Sequence, residues 1–158
     1  MIDGKQGENC SLPIFRMNSD RIIHLISRTR DRINREMSAQ MEHVGMGDIA
    51  PAHAGMIYAL GQSGPVAMGE LAQMLERDNS TITTLADKLQ KRGYIRKRKS
   101  RADSRSYTLE LTDKGNKSRD LVVQVSRRVL RRFYRGMQAT ERKLLVHLLH
   151  HAYRNFDS

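Results

Sequence analysis

From Met68 to Leu111 the chain places local signals in an order that strongly limits its fold. Met68 to Leu75 reads as a short helix with Leu71, Ala72 and Leu75 turned inward. Glu76-Arg77-Asp78 is a tight turn, and Asn79 or Ser80 then caps a second helix that runs to about Arg92. Ile82, Leu85 and Leu89 line its inner face, and Gly93 ends it as a glycine just past a helix does. Tyr94 to Lys99 and Ser106 to Leu111 each alternate in polarity, with Arg101-Ala102-Asp103-Ser104-Arg105 between them. That pattern predicts a hairpin. Two short helices across a tight turn, followed by a hairpin, predict a winged helix-turn-helix.

The flanks read as helices. Residues 1–17 hold Gly4, Gly7 and Pro13 without periodicity and are expected to be a flexible leader. A helix begins near Asn18, with Ser19 and Asp20 as cap and first-turn residues, and Ile22, Ile26, Ile33, Met37 and Met41 form its apolar stripe. Gly45-Met46-Gly47-Asp48 breaks it. Pro51 opens a second helix, Ala52 to Leu60, which Gly61-Gln62-Ser63-Gly64-Pro65 should stop. Val66-Ala67 suits a short strand. Thr112-Asp113 caps a long helix through Val122, Val125, Val129 and Phe133. Gly136 interrupts it, and Thr140-Glu141 opens a last helix carrying Leu144, Leu145, Leu148, Ala152 and Phe156. The expected fold is mainly α: six helices and a small β-hairpin wing, in one domain over residues 18–158.

Charge narrows the function. The 158 residues carry a formal net charge of +11, which favours a polyanionic partner. From Lys91 to Arg105 there are eight basic residues and one acid, Asp103. Beside a helix whose outer positions are Ser80, Thr81, Thr83, Thr84 and Lys88, this hairpin predicts contact with double-stranded DNA. Hydroxyls can meet base edges and phosphates, and Arg96, Lys97, Arg98, Lys99, Arg101 and Arg105 can follow the backbone into a minor groove. Asp103, two residues before Arg105, can brace its guanidinium. With no tryptophan and few aromatics, the chain offers little base-stacking platform for single strands.

Other classes fit less well. No nucleophile, base and orienting group cluster together, and no glycine-rich phosphate loop is present, so an enzyme is not expected. No stretch is apolar enough to span a membrane, and no basic amphipathic helix carries bulky membrane anchors. One cysteine, Cys10, allows no internal disulfide and suits a reducing, cytoplasmic setting. A winged-helix module that binds protein without specific DNA contact is the alternative, and it would not need the cationic wing.

Residues 51–115 resemble the MarR family of multiple antibiotic resistance regulators. The resemblance rests on Pro51-Ala52-His53, Gly69-Glu70-Leu71-Ala72, Ser80-Thr81-Ile82-Thr83, Leu89-Gln90-Lys91-Arg92-Gly93-Tyr94-Ile95, Asp103-Ser104-Arg105 and Leu111-Thr112-Asp113-Lys114-Gly115. The order of the flanking helices extends it over about residues 18–156. It implies a DNA-binding lobe near 51–111 and a dimerisation region from about 18–45 and 112–156. It further implies a homodimer, usually a repressor, on a pseudo-palindromic operator. Arg105 would be the minor-groove arginine with Asp103 as its partner, and Ser80 to Thr84 would face the major groove.

The resemblance also implies control by a small aromatic or lipophilic effector, for which His53 and Tyr58 are the candidate contacts. Glu42-His43, and His147 with His151, have metal-type spacing, but the fifth helix lacks the histidines of the family's zinc sensors, so neither a metal nor another cofactor is assigned. Cys10 lies near the position of the cysteine that senses peroxide in some relatives. No basic group adjoins it closely, and it reads as a free thiol.

Overall fold

The computed structural model describes residues 20–99 and 107–156. The leader and Cys10 lie outside the described residues. The chain divides into two compact units, residues 1–32 and residues 33–158, with the boundary inside the first helix. In the first unit, the opening part of α1 (Asp20–His43) exposes Ile22, Ile23, Leu25 and Ile26. Ile22 and Ile26, the start of the expected apolar stripe, are thus exposed on a single chain.

The second unit holds the rest of α1, then α2 (Pro51–Ser63), β1 (Val66–Ala67), α3 (Met68–Met74), α4 (Asn79–Lys91), β2 (Ile95–Lys99), β3 (Tyr107–Leu111), α5 (Asp113–Phe133) and α6 (Ala139–Arg154). Its core gathers Met41 from α1, Met56, Ile57 and Leu60 from α2, and Leu71 from α3. Ile82, Ala86 and Leu89 from α4, Leu109 from β3, and Val122 and Val125 from α5 pack into the same cluster. Expectation and structure agree on the stripes of α3 and α4, except that Leu75 and Leu85 are only partly buried.

The strands form one antiparallel sheet in the order β1-β3-β2. Val66 pairs with Leu109, and Ile95 pairs with Leu111. The short strand thus seals the inner edge of the wing, and Leu109 in the central strand is fully buried. Side chains alternate across a strand, so Lys97 and Leu109 sit on the opposite face from Arg96, Arg98 and Glu110.

Three boundaries differ from expectation. The helix α2 runs to Ser63, past the expected stop at Gly61. Gly61 lies within the helix, where a Cβ would come 2.3 Å from the Arg119 side chain, and Gly64, with φ +75°, ends the helix while its amide bonds to Leu60 O at 3.0 Å. The cap of α4 is Asp78, not Asn79 or Ser80: its carboxylate accepts from the Thr81 amide at 2.7 Å. The helix α6 starts at Ala139, and Glu141 reaches back to accept the Gln138 amide at 2.7 Å.

Candidate nucleic-acid interface

A dense junction behind the wing fixes where α4 ends and the hairpin begins. Gly93 takes φ +75°, a conformation that favours glycine. The chain then inserts Tyr94, which is 1% exposed. Its hydroxyl donates to Asp48 Oδ1 at 2.8 Å, and the Lys114 ammonium lies 3.9 Å from the centre of its ring. Burial, then the bond to Asp48, raises the Tyr94 hydroxyl to a pKa of about 12. Lys114 Nζ also donates to Arg92 O at 2.8 Å, so one cation closes the end of α4.

The Leu111-Thr112-x-x-Gly115 pattern has a physical cause at this junction. The Thr112 hydroxyl donates to Gly93 O at 2.6 Å, its amide donates to Tyr94 O at 3.0 Å, and its side chain caps α5 by accepting the Gly115 amide. A Cβ at Gly115 would lie 2.1 Å from Tyr94 O, a clash with backbone. Only glycine lets α5 start this close to the wing.

The outer face of α4 presents the expected hydroxyls. Ser80 and Thr84 are exposed, Thr81 and Thr83 are half-buried, and Lys88 is exposed four residues further on. Each hydroxyl already has a bond within the helix. Ser80 Oγ donates to Asp78 Oδ1, and Thr81 Oγ1 donates to Asp78 Oδ2 at 2.7 Å. Thr83 Oγ1 donates to Asn79 O at 2.7 Å, and Thr84 Oγ1 donates to Ser80 O at 3.0 Å. The Ser80 hydroxyl, followed by the Thr81 bonds, holds the Asp78 carboxyl well below the usual carboxylate range.

The wing cations are organised by acids that sequence reasoning passed over. Arg96 and Arg98 both pair with Glu110 on the neighbouring strand. Two guanidiniums on one carboxylate leave a net positive charge on that face. Lys97, on the other face, pairs with Asp87 of α4, and its bond lowers the Asp87 pKa. Lys99 is exposed at the end of β2. Arg101, Asp103 and Arg105 lie outside the described residues. The signal for Glu110 was available: it sits opposite Arg96 once the hairpin register is set.

His53 and Tyr58 do not share a surface. His53 is buried, with Nδ1 accepting the Ala50 amide at 3.1 Å, and burial lowers its pKa. Tyr58 is 47% exposed. Among the described residues no group of three or more His, Cys, Asp or Glu could hold a metal ion, and no helix is long and apolar enough to cross a membrane.

Core, capped second helix and paired hairpin together define a winged helix-turn-helix protein. The MarR family model matches residues 47–106, from the loop before α2 into the wing. The chain is 26% identical over 117 residues to the HTH-type transcriptional repressor MdtR of Bacillus subtilis (strain 168), covering 74% of each chain. The S. aureus MepR–DNA complex superposes with a TM-score of 0.77 at 16% identity, covering 84% of this chain and 96% of that one. Streptococcus pneumoniae FabT in complex with DNA gives 0.74 at 21% identity, covering 89% and 98%. Over residues 47–106 the chain thus matches the MarR family pattern, and it is similar to transcriptional regulators of the winged-helix fold.

Proposed function

We infer that this regulator binds double-stranded DNA as a homodimer on a pseudo-palindromic operator and represses transcription in the cytoplasm. The observation that carries the reading is the pairing of an exposed polar face on α4 with a hairpin whose cations outnumber its acids. On this reading α4 enters the major groove. Arg105, braced by Asp103, enters the adjacent minor groove, and Arg101 and Lys99 follow the phosphates.

Two copies are needed because the apolar surface is too large for one. Ile22, Ile23, Leu25 and Ile26 of the first unit are exposed, as are Leu130 of α5 and Leu144, Val146, Leu148 and Leu149 of α6. No residue of α6 is buried. Apolar faces of this extent mark an interface, and a two-fold axis would space two α4 helices about one DNA turn apart, ~34 Å. A small aromatic or lipophilic effector belongs to the same reading, with Tyr58 rather than His53 available to meet it.

The test is binding of the full chain to a fragment from beside its own gene, titrated with salt. Affinity should fall with a log–log slope of about −0.9 per phosphate contacted. Binding that ignores salt would sink the DNA reading in favour of a protein-binding winged helix. Arg105→Ala should weaken specific binding, and unchanged affinity would remove Arg105 from the wing-tip role.

A further inference from the structure

The geometry points to a recognition helix that offers DNA only hydrogen-bond acceptors from its hydroxyls, with Ser80 and Thr84 selecting bases that present an amine in the major groove. This inference rests on the DNA-binding reading above.

A hydroxyl has one proton to donate and two lone pairs to accept with. In α4 the protons of all four candidate hydroxyls point inward. Asp78 takes those of Ser80 and Thr81, Asn79 O takes that of Thr83, and Ser80 O takes that of Thr84. The first two are bonds to an ionised carboxylate, which are stronger than neutral ones. Ser80 and Thr84 are exposed and four residues apart, so they share one face of the helix. That face shows lone pairs.

Major-groove edges give such a face a limited choice. Guanine offers N7 and O6, and thymine offers O4, all of them acceptors. Phosphates offer only acceptors as well. The complementary groups are the amines, N4 of cytosine and N6 of adenine. Ser80 and Thr84 are therefore base readers and poor phosphate anchors, and backbone contact falls to the cations of α4 and the wing. Asp78 is the positioning residue, because it consumes the proton that Ser80 would otherwise rotate toward guanine or phosphate.

The experiment couples single protein groups to single base atoms, using the full chain and its operator. Amines are removed one at a time by placing purine for adenine or 2-pyrimidinone for cytosine. Ring acceptors are removed with 7-deazapurines. For the unmodified protein, losing the amine under Ser80 or Thr84 should weaken binding about five- to tenfold, the scale of one hydrogen bond. The same loss should have no effect in Ser80→Ala or Thr84→Val, respectively.

Asp78→Gly removes both acceptor oxygens while leaving a residue that helix caps tolerate. It should transfer part of the sensitivity from the amine to a ring acceptor. Coupling of either hydroxyl to N7, or to no base atom, overturns the inference while leaving DNA binding intact. A chain that binds no DNA at any salt concentration overturns both.

Discussion

The Tyr94 hydroxyl donates to Asp48 across 46 positions of sequence, linking the strand entry of the wing to the loop between α1 and α2. The bond is 2.8 Å long, and the ring that carries it is fully packed. It joins the start of the wing to that loop through one part-buried bond. Tyr94→Phe removes only the hydroxyl. Asp48 is partly exposed and can rehydrate, so the expected loss is about 1–2 kcal/mol in urea unfolding, at or below the low end of the ~1.5–3 kcal/mol for hydrogen bonds to charged groups. A double-mutant cycle with Asp48→Asn should show non-additivity, and additive effects would mean that the two side chains act independently.

Gly115→Ala should be far more damaging than its size suggests. The new Cβ would meet Tyr94 O at 2.1 Å, so either α5 or the wing must shift. Overpacking of this kind costs about 1–3 kcal/mol or more. A clear fall in melting temperature should accompany weaker DNA binding. A variant of normal stability would show that the junction is looser than its contacts indicate.

His53 makes the fold sensitive to mild acid. Burial lowers its pKa, so the folded state holds it neutral while the unfolded chain protonates near the ordinary value of 6.5. Its contribution is complete above pH ~6.5 and is lost as pH falls from there through the depressed folded-state pKa, with a slope of at most about 1.4 kcal/mol per pH unit. Asp78 and Asp87 are also depressed, but they act below the usual carboxylate range. His53→Asn retains an acceptor for the Ala50 amide and should flatten the stability profile below pH ~6.5. An unchanged profile would assign the slope to another group.

Leu148→Glu tests the proposed dimer. Leu148 is 54% exposed, so a charge there costs a single chain little. Placed in an apolar interface, it would be desolvated without a partner. Sedimentation should show half the mass, with the helical circular dichroism signal largely retained. A variant with unchanged mass would exclude this face of α6 from the interface.

Much of the fold was legible because its signals are local. The stripe Ile82-Leu89, the glycine at 93 and the Thr112 cap each depend on a few neighbouring residues. The α4 cap was harder, since Asp78, Asn79 and Ser80 are adjacent and each is a favoured cap. Only the side-chain geometry singles out Asp78. The candidate site was legible in residue type but not in bonding. Nothing in the spacing shows that Lys97 turns to Asp87, or that the Ser80 proton turns to Asp78, because these depend on strand register and rotamer. The apolar stripe of α1 illustrates the converse: Ile22 and Ile26 have the right period, but periodicity cannot say whether the partner belongs to the same chain.

The ion pair between Lys97 and Asp87 ties the hairpin sideways to the helix beside it. With Tyr94 and Thr112 closing the other side, α4 and the wing form one calliper of fixed opening. Such a tool cannot stretch to fit a half-site that is one base pair too long. In the proposed dimer, tolerance to operator length would therefore come from the hinge between two callipers, so that natural sites should vary in their centre and stay constant in their arms.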